Sequence, residues 1–224
     1  MKGLLENLQA VPSSSESQDG LFSPLYRYDR SRSLRPLAGL DEAGRGPLAG
    51  PLVAAAVILP EGFDSPQIND SKKLKASERQ KAFELITAQA LHWAFEVISP
   101  AEVDRLNPLA ASLLAMARAL AKLPQKPQLA LVDGNQAPKL DCPVLTVVKG
   151  DATSLSIAAA SILAKVLRDG LMLEAHARYP DYGFDRHKGY GTKEHLRALE
   201  KLGPCPIHRL TYRGVKKVPK TTLF

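Results

Sequence analysis

The chain lacks any apolar run of the ~20 residues needed to cross a bilayer. Its longest candidates, Pro51–Pro60 and Pro108–Leu123, fall short, and Arg118 interrupts the second. An apolar signal core is missing as well, because polar residues follow Leu4 and Leu5 at once. A cytoplasmic protein with no membrane partner is the expectation. Cysteine is scarce: Cys142 and Cys205 each precede a proline and show no metal-ligand spacing, which argues against a disulfide framework or a zinc site. Internal repeats are absent. From Cys205 onward there are no acids but five basic residues, Arg209, Arg213, Lys216, Lys217 and Lys220, within a net charge of +7. Such a tail suits a polyanionic partner, although a plain solvated terminus reads the same way.

What is present fits one main domain with room for a sizeable core in 224 residues. Residues 1–35 are rich in Ser, Asp, Arg and Pro and read as a flexible extension, with Leu21, Phe22, Leu25 and Tyr26 able to dock on the body. The body spans residues 36–212, and residues 213–224 form a basic tail. Strands are expected at Leu37–Glu42, Leu52–Leu59, Leu91–Ile98, Leu129–Asp133 and Val144–Val148. Ser77 with Gln80, and Ser99 with Glu102, have capping-box spacing, and Asn107-Pro108 places a cap before a first-turn proline. The helix after Pro108 should bury Leu109, Leu113, Met116 and Leu120. A long Ala-rich helix, from about Ser154 to Ala175, has small residues suited to lying close on a sheet, and a last helix runs from about Lys193 to Leu202. This order describes an α/β fold: a central mixed five-stranded sheet flanked by helices, with a C-terminal helical region.

Four acids fall at equivalent places. Asp41 and Glu42 end the first strand beside Gly44-Arg45-Gly46, Asp133 ends "LALVDG", and Asp151 follows "LTVVKG". Ligands gather at strand ends in open α/β sheets. Converging carboxylates repel one another, and a hard divalent cation such as Mg²⁺ or Mn²⁺ resolves that repulsion. Taken singly, Asp133 before Gly134 is ordinary turn chemistry and Asp151 a helix cap. As a set of four, the site reading is the stronger one. Successive strand residues face opposite ways, so Asp41 and Glu42 share a site only if the chain turns there, as Gly44 and Gly46 allow. The P-loop and dinucleotide-fold spacings of these glycines are false matches: Arg45 and Gly46 replace the lysine and hydroxyl, and Pro47 and Pro51 bar the helix.

The segments "GLDEAGRGPLAGPLVAAAV", "DSKKL", "VDGN", "VVKGDATSLSIAAASILAKVLRD" and "YGFDRHKGYGT" occur in this order. Together they resemble bacterial ribonuclease HII, from about Leu37 to about Tyr212. The resemblance implies an RNase H-like fold and a metal-dependent endonuclease. Such an enzyme cuts the RNA strand of RNA–DNA hybrids and nicks 5′ to single ribonucleotides in duplex DNA, leaving 3′-hydroxyl and 5′-phosphate ends. It further implies that Asp41, Glu42, Asp133 and Asp151 hold two divalent cations, Mn²⁺ or Mg²⁺, in a two-metal mechanism. Gly44, Arg45 and Gly46 match the reader of the ribose 2′-hydroxyl, Tyr190 the residue stacking on the sugar at the RNA-to-DNA junction, and Lys72 and Lys73 a loop near the substrate backbone. A role in ribonucleotide removal from DNA, and a monomer, complete the expectation.

The residues support this chemistry independently. Glycines let backbone groups reach the 2′-hydroxyl, which is what distinguishes RNA from DNA. Arg45 reads as a phosphate contact, and Tyr190, between Gly189 and Gly191, as an exposed stacking platform. Lys149, Arg186, Lys188 and Arg209 are further candidates for a phosphate track, whereas Lys165 and Arg168 read as a solvated helix face. The rivals are a non-catalytic hybrid-binding protein and another RNase H-fold nuclease such as a Holliday-junction resolvase.

Overall fold

The computed structural model describes residues 22–215. Five strands form one sheet: β1 (Leu37–Ala43), β2 (Leu52–Ile58), β3 (His92–Ile98), β4 (Leu129–Asp133) and β5 (Val144–Val147), in the order β3-β2-β1-β4-β5. β1 pairs antiparallel with β2 and β2 with β3, while β1–β4 and β4–β5 are parallel. The sheet is therefore mixed, as expected. β1 is central, with Leu40 level with Val132 of β4. That register sets Asp41 beside Asp133 at the same end of neighbouring strands.

Helices cover both faces. On one side α4 (Pro108–Ala121) packs over β2, β3 and β1, and on the other α5 (Leu155–Arg178) crosses β1 and β2. α5 lies close because its residues Ala158, Ala159, Ala160 and Ala164 are small and fully buried. At Gly39 of β1 a side chain would collide with the backbone of Ser156, so this glycine is required by helix–sheet contact. α2 (Ala76–Gln89) follows β2, α3 (Pro100–Leu106) precedes α4, and α6 (Phe184–His187) and α7 (Lys193–Leu202) form the C-terminal region. None of the described helices is long and apolar enough to cross a membrane.

The caps explain several boundaries. Ser99 Oγ accepts from the Glu102 N–H, and Asn107 Oδ1 accepts from the Ala110 N–H. The helix expected from Ser77 begins earlier: Glu78 Oε2 accepts the Lys75 N–H at 2.8 Å, and Gln80 instead bonds Glu84 along the helix. The stripe expected on α4 is also rotated. Ala111, Ser112, Ala115 and Ala119 are buried beside Met116 and Leu120, whereas Leu109 is exposed and Leu113 half-buried. Small residues take the sheet-facing positions because they allow close approach, a preference that hydrophobicity ranking alone overlooks.

Both ends of the body differ from expectation. α1 (Pro24–Arg30) lies inside the segment read as a flexible extension, yet it is anchored to the start of α5. Asp29 is buried and accepts the Ser154 and Ser156 hydroxyls at 2.5 and 2.7 Å and the Ser156 N–H at 2.8 Å. Burial raises its pKa despite these bonds. At the other end Val215 is buried with Leu48 and Leu199, so the body runs past Tyr212. Leu21 and the tail from Lys216 lie outside the described residues.

Candidate active site

The parallel β4 and its neighbour β1 deliver Asp133 and Asp41 side by side, and the turn after β5 brings Asp151 to them. Asp133 organises that turn, since its Oδ1 accepts the Gly150 N–H at 2.7 Å and its carboxylate also accepts from the Asp151 backbone. Asp151 thereby sits in a short 3₁₀ turn (Gly150–Ala152) immediately before α5. Asp41 is buried, and its Oδ1 accepts the Glu42 N–H at 2.7 Å. From α5, Ser161 also bonds Asp41, and the Ser161 hydroxyl lies 2.8 Å from that of Ser71 in the "DSKK" loop.

The electrostatics are strained. Burial, then the charges of Glu42 and Asp133, push the Asp41 carboxyl well above its ordinary pKa. Burial also raises Glu42, against the opposing Arg45 guanidinium, and raises Asp133 against its bond from Gly150. The chain supplies part of the missing positive charge itself. Lys72 Nζ lies 2.7 Å from Asp151 Oδ2 and interacts with Asp41, Glu42 and Asp133 as well. Its hydrogen bond to Asp151 raises the lysine's own pKa. Arg45 Nη1 lies 3.4 Å from Glu42 Oε1.

Among the described residues no three acids close around one point as a finished metal cage; Lys72 pairs with Asp151 and Arg45 with Glu42. Both cationic arms are largely exposed, at 77% and 54% of their side chains, whereas the carboxylates they meet are largely buried. The donor set is all oxygen, anionic and mutually repelling, which fits hard divalent cations. Lys72, expected near the substrate backbone, pairs with Asp151 in the protein alone. Lys73 is exposed and makes no side-chain bond to the acids among the described residues.

Beside the acids the segment Gly44–Pro51 forms a loop pinned from below. Gly44 has φ +97°, and a side chain there would strike the Arg168 guanidinium, whereas at Gly46 it would meet open space. Two buried arginines hold this loop through backbone carbonyls. Arg168 donates to Pro51 O at 2.9 Å, Ala49 O at 3.3 Å and Lys188 O at 3.0 Å. Arg209 donates to Gly44 O at 2.6 Å, Arg45 O at 3.1 Å and Gly50 O at 2.8 Å, and the Tyr212 hydroxyl donates to Arg45 O at 2.6 Å. Burial lowers Arg209 and pushes Arg168 down to about 10, which leaves Arg168 cationic at neutral pH.

Tyr190 stands on the same scaffold. The Leu48 N–H donates to Gly189 O at 2.8 Å, which joins the two loops. Tyr190 is 43% exposed, with the Arg168 guanidinium 5.6 Å and the Lys165 ammonium 5.9 Å from its ring centroid. Arg168 is thus fully buried rather than solvated, and Lys165 pairs with Asp169 at 2.8 Å. Arg209, considered for the phosphate track, faces carbonyls instead. Helical spacing held a sign of the first: Arg168 follows the buried Ser161 and Ala164 by seven and four residues, on one face of α5.

A family model described as Ribonuclease HII matches residues 38–215. A curated Ribonuclease HII from Syntrophotalea carbinolica is 55% identical over 197 residues, covering 87% of this chain and 94% of that protein. Another, from Endomicrobium trichonymphae, is 50% identical over 206 residues, covering 90% and 98%. Among solved structures, the ribonuclease H2 from Pyrococcus horikoshii OT3 superposes with a TM-score of 0.70 at 29% identity, covering 80% of this chain and 94% of that one. A Bst-RNase HIII in complex with Mn²⁺ shares the fold, with a TM-score of 0.61 at 19% identity, covering 96% and 78%.

Proposed function

The chain belongs to the ribonuclease HII family and is a ribonuclease H; on that premise we propose that it is a metal-dependent endonuclease directed at ribonucleotides within duplexes. It hydrolyses the RNA strand of RNA–DNA hybrids and nicks 5′ to single ribonucleotides embedded in duplex DNA, serving their removal. The observation that carries this reading is the set of acids at adjacent strand ends, three with raised pKa values, sharing one exposed lysine as their common cation.

In this reading Asp41, Glu42, Asp133 and Asp151 hold two divalent cations, Mg²⁺ or Mn²⁺. When bound, these supply an activated water and charge stabilisation for the leaving 3′-oxygen. The protein's own residues select and orient. Backbone groups at Gly44 and Gly46 approach the 2′-hydroxyl, and deoxyribose would leave them unpaired at about 1–3 kcal/mol per buried group. Arg45 leaves Glu42 to contact a phosphate, and Lys72 leaves Asp151 in the same way. Tyr190 offers its exposed face to the sugar at the junction.

The test compares three substrates, each with and without chelator: a DNA duplex with one ribonucleotide, a continuous RNA–DNA hybrid, and an all-DNA four-way junction. Metal-dependent 5′ nicking of the first and cutting of the second are expected. Cleavage of the junction would favour a resolvase, and binding of the hybrid without cleavage would favour a non-catalytic role.

A further inference from the structure

Behind Tyr190 lies a buried cluster of imidazoles that the proposed chemistry does not use. His187, His195 and His208 are all buried. His187 and His195 stack with centroids 4.4 Å apart, and Phe184 meets His195 edge-on at 5.5 Å. No carboxylate hydrogen-bonds to any of the three among the described residues.

Their hydrogen bonds define a direction. The Cys205 N–H donates to His208 Nδ1 at 2.9 Å, which leaves the His208 proton on Nε2. That nitrogen is 3.0 Å from His195 Nε2, so His195 Nε2 is the bare acceptor and Nδ1 carries the proton. His195 Nδ1 lies 3.0 Å from the Tyr190 carbonyl oxygen, which can only accept. The series runs from the Cys205 N–H through His208 and His195 to the Tyr190 C=O. The alternative uses the Cys205 carbonyl, 3.2 Å from His208 Nδ1. It would require a doubly protonated His195 with no carboxylate to balance it, and burial opposes that charge. His187 grips the same loop from its other side, accepting the Gly189 N–H on Nδ1 at 3.2 Å and donating from Nε2 to Tyr182 O at 2.7 Å.

We infer that His195 is a positioning residue for Tyr190, holding its backbone through a relay of neutral imidazoles that starts at Cys205. The inference rests on the reading of Tyr190 as the residue that stacks on the substrate. The ring is exposed but its carbonyl is fixed, by His195 and by the Thr192 N–H at 2.8 Å, so the tyrosine's aim is set from beneath. The Nδ1 donor of His195 is the part that matters. Asparagine can place an amide N–H near that position, whereas alanine and glutamine cannot.

Two measurements test this. A long-range ¹H–¹⁵N spectrum of ¹⁵N-histidine-labelled protein at neutral pH should show His195 protonated on Nδ1 and His208 on Nε2. A cationic His195, or the reverse tautomers, would overturn the relay whether or not the protein cleaves anything. On the single-ribonucleotide duplex, His195→Ala should lower kcat/KM by about tenfold, as loss of one buried hydrogen bond implies, and His195→Asn should restore most of it. In a Tyr190→Ala background the same change should cost less than twofold, because its effect passes through the tyrosine. Equal losses with and without Tyr190 would reject the positioning role. His195→Gln replaces alanine in the cycle if the alanine variant does not fold, with the same two outcomes.

Discussion

Two neighbouring regions of this protein bury charge in opposite ways. At the strand ends, Asp41, Glu42 and Asp133 are pushed together, and their raised pKa values record burial and mutual repulsion. Behind the Gly44–Pro51 loop, Arg168 and Arg209 are at least as buried, yet backbone carbonyls surround them. The first region leaves carboxylates pressed together, with Lys72 and Arg45 as the side-chain cations that offset them. The second meets mainly carbonyl dipoles and ties two loops together, although the buried Arg168 Nη1 has no hydrogen-bond partner. Like charges pressed together mark a candidate binding site, and cations laced to carbonyls mark what positions it.

The largest expected effect breaks the first region. Asp133→Asn should reduce nicking of a single-ribonucleotide duplex by ~10²–10³-fold or more, while hybrid binding, measured by fluorescence anisotropy, survives. Wild-type rates in that variant would remove Asp133 from the cation site.

Next comes the second region. Arg209→Met strips the carbonyls of Gly44 and Gly50 of their side-chain donor, while Arg45 O keeps the Tyr212 hydroxyl; each loss costs about 1–3 kcal/mol. Tm measured by calorimetry should fall by ~4 °C or more. Lysine should not rescue it, because one ammonium cannot reproduce the fork.

A subtler difference lies in pH. Carboxylates whose folded pKa is raised make the folded state bind more protons than the unfolded one. Stability of protein stripped of divalent cations therefore falls as pH rises above the ordinary carboxylate range. For the imidazoles the sign reverses. His208 is pushed down to about 4 from 6.5 by burial first and by His195 second, so stability is lost as pH drops through that window. Asp41→Asn removes a carboxylate that burial and the charges of Glu42 and Asp133 push well above its ordinary range. Without metal it should melt ~2–4 °C above wild type near neutral pH, for about 1 kcal/mol recovered, and the gap should narrow toward pH 4. A constant gap would show that Asp41 does not titrate as argued.

The smallest effect belongs to a residue in neither region. Lys73→Ala should weaken hybrid binding slightly and reduce the slope of log K against log salt by no more than ~1.

The sequence made the first region legible and hid the second. Strand-ending acids beside glycines carry a pattern, and Asp41, Glu42 and Asp133 fall near strand ends as it implies, with Asp151 in the 3₁₀ turn that follows β5. Arg168 and Arg209 could not be read as anchors, because their partners are backbone carbonyls, which leave no residue code in the chain. Distance hid Asp29, whose hold on the Ser154 and Ser156 hydroxyls reaches across more than 120 positions. The α4 stripe was misjudged because small residues, not large ones, faced the sheet. Nor does the spacing of Lys72 say that it pairs with Asp151 in the protein alone.

Calorimetric titration with Mn²⁺ asks whether the four acids form one pocket made tolerable by cations. Wild-type protein should bind the ion saturably, Asp133→Asn should bind it much more weakly, and Lys72→Ala should bind it at least as well as wild type. Equal Mn²⁺ binding by wild type and the Asp133→Asn variant, or no binding by either, would mean that the acids form no such pocket.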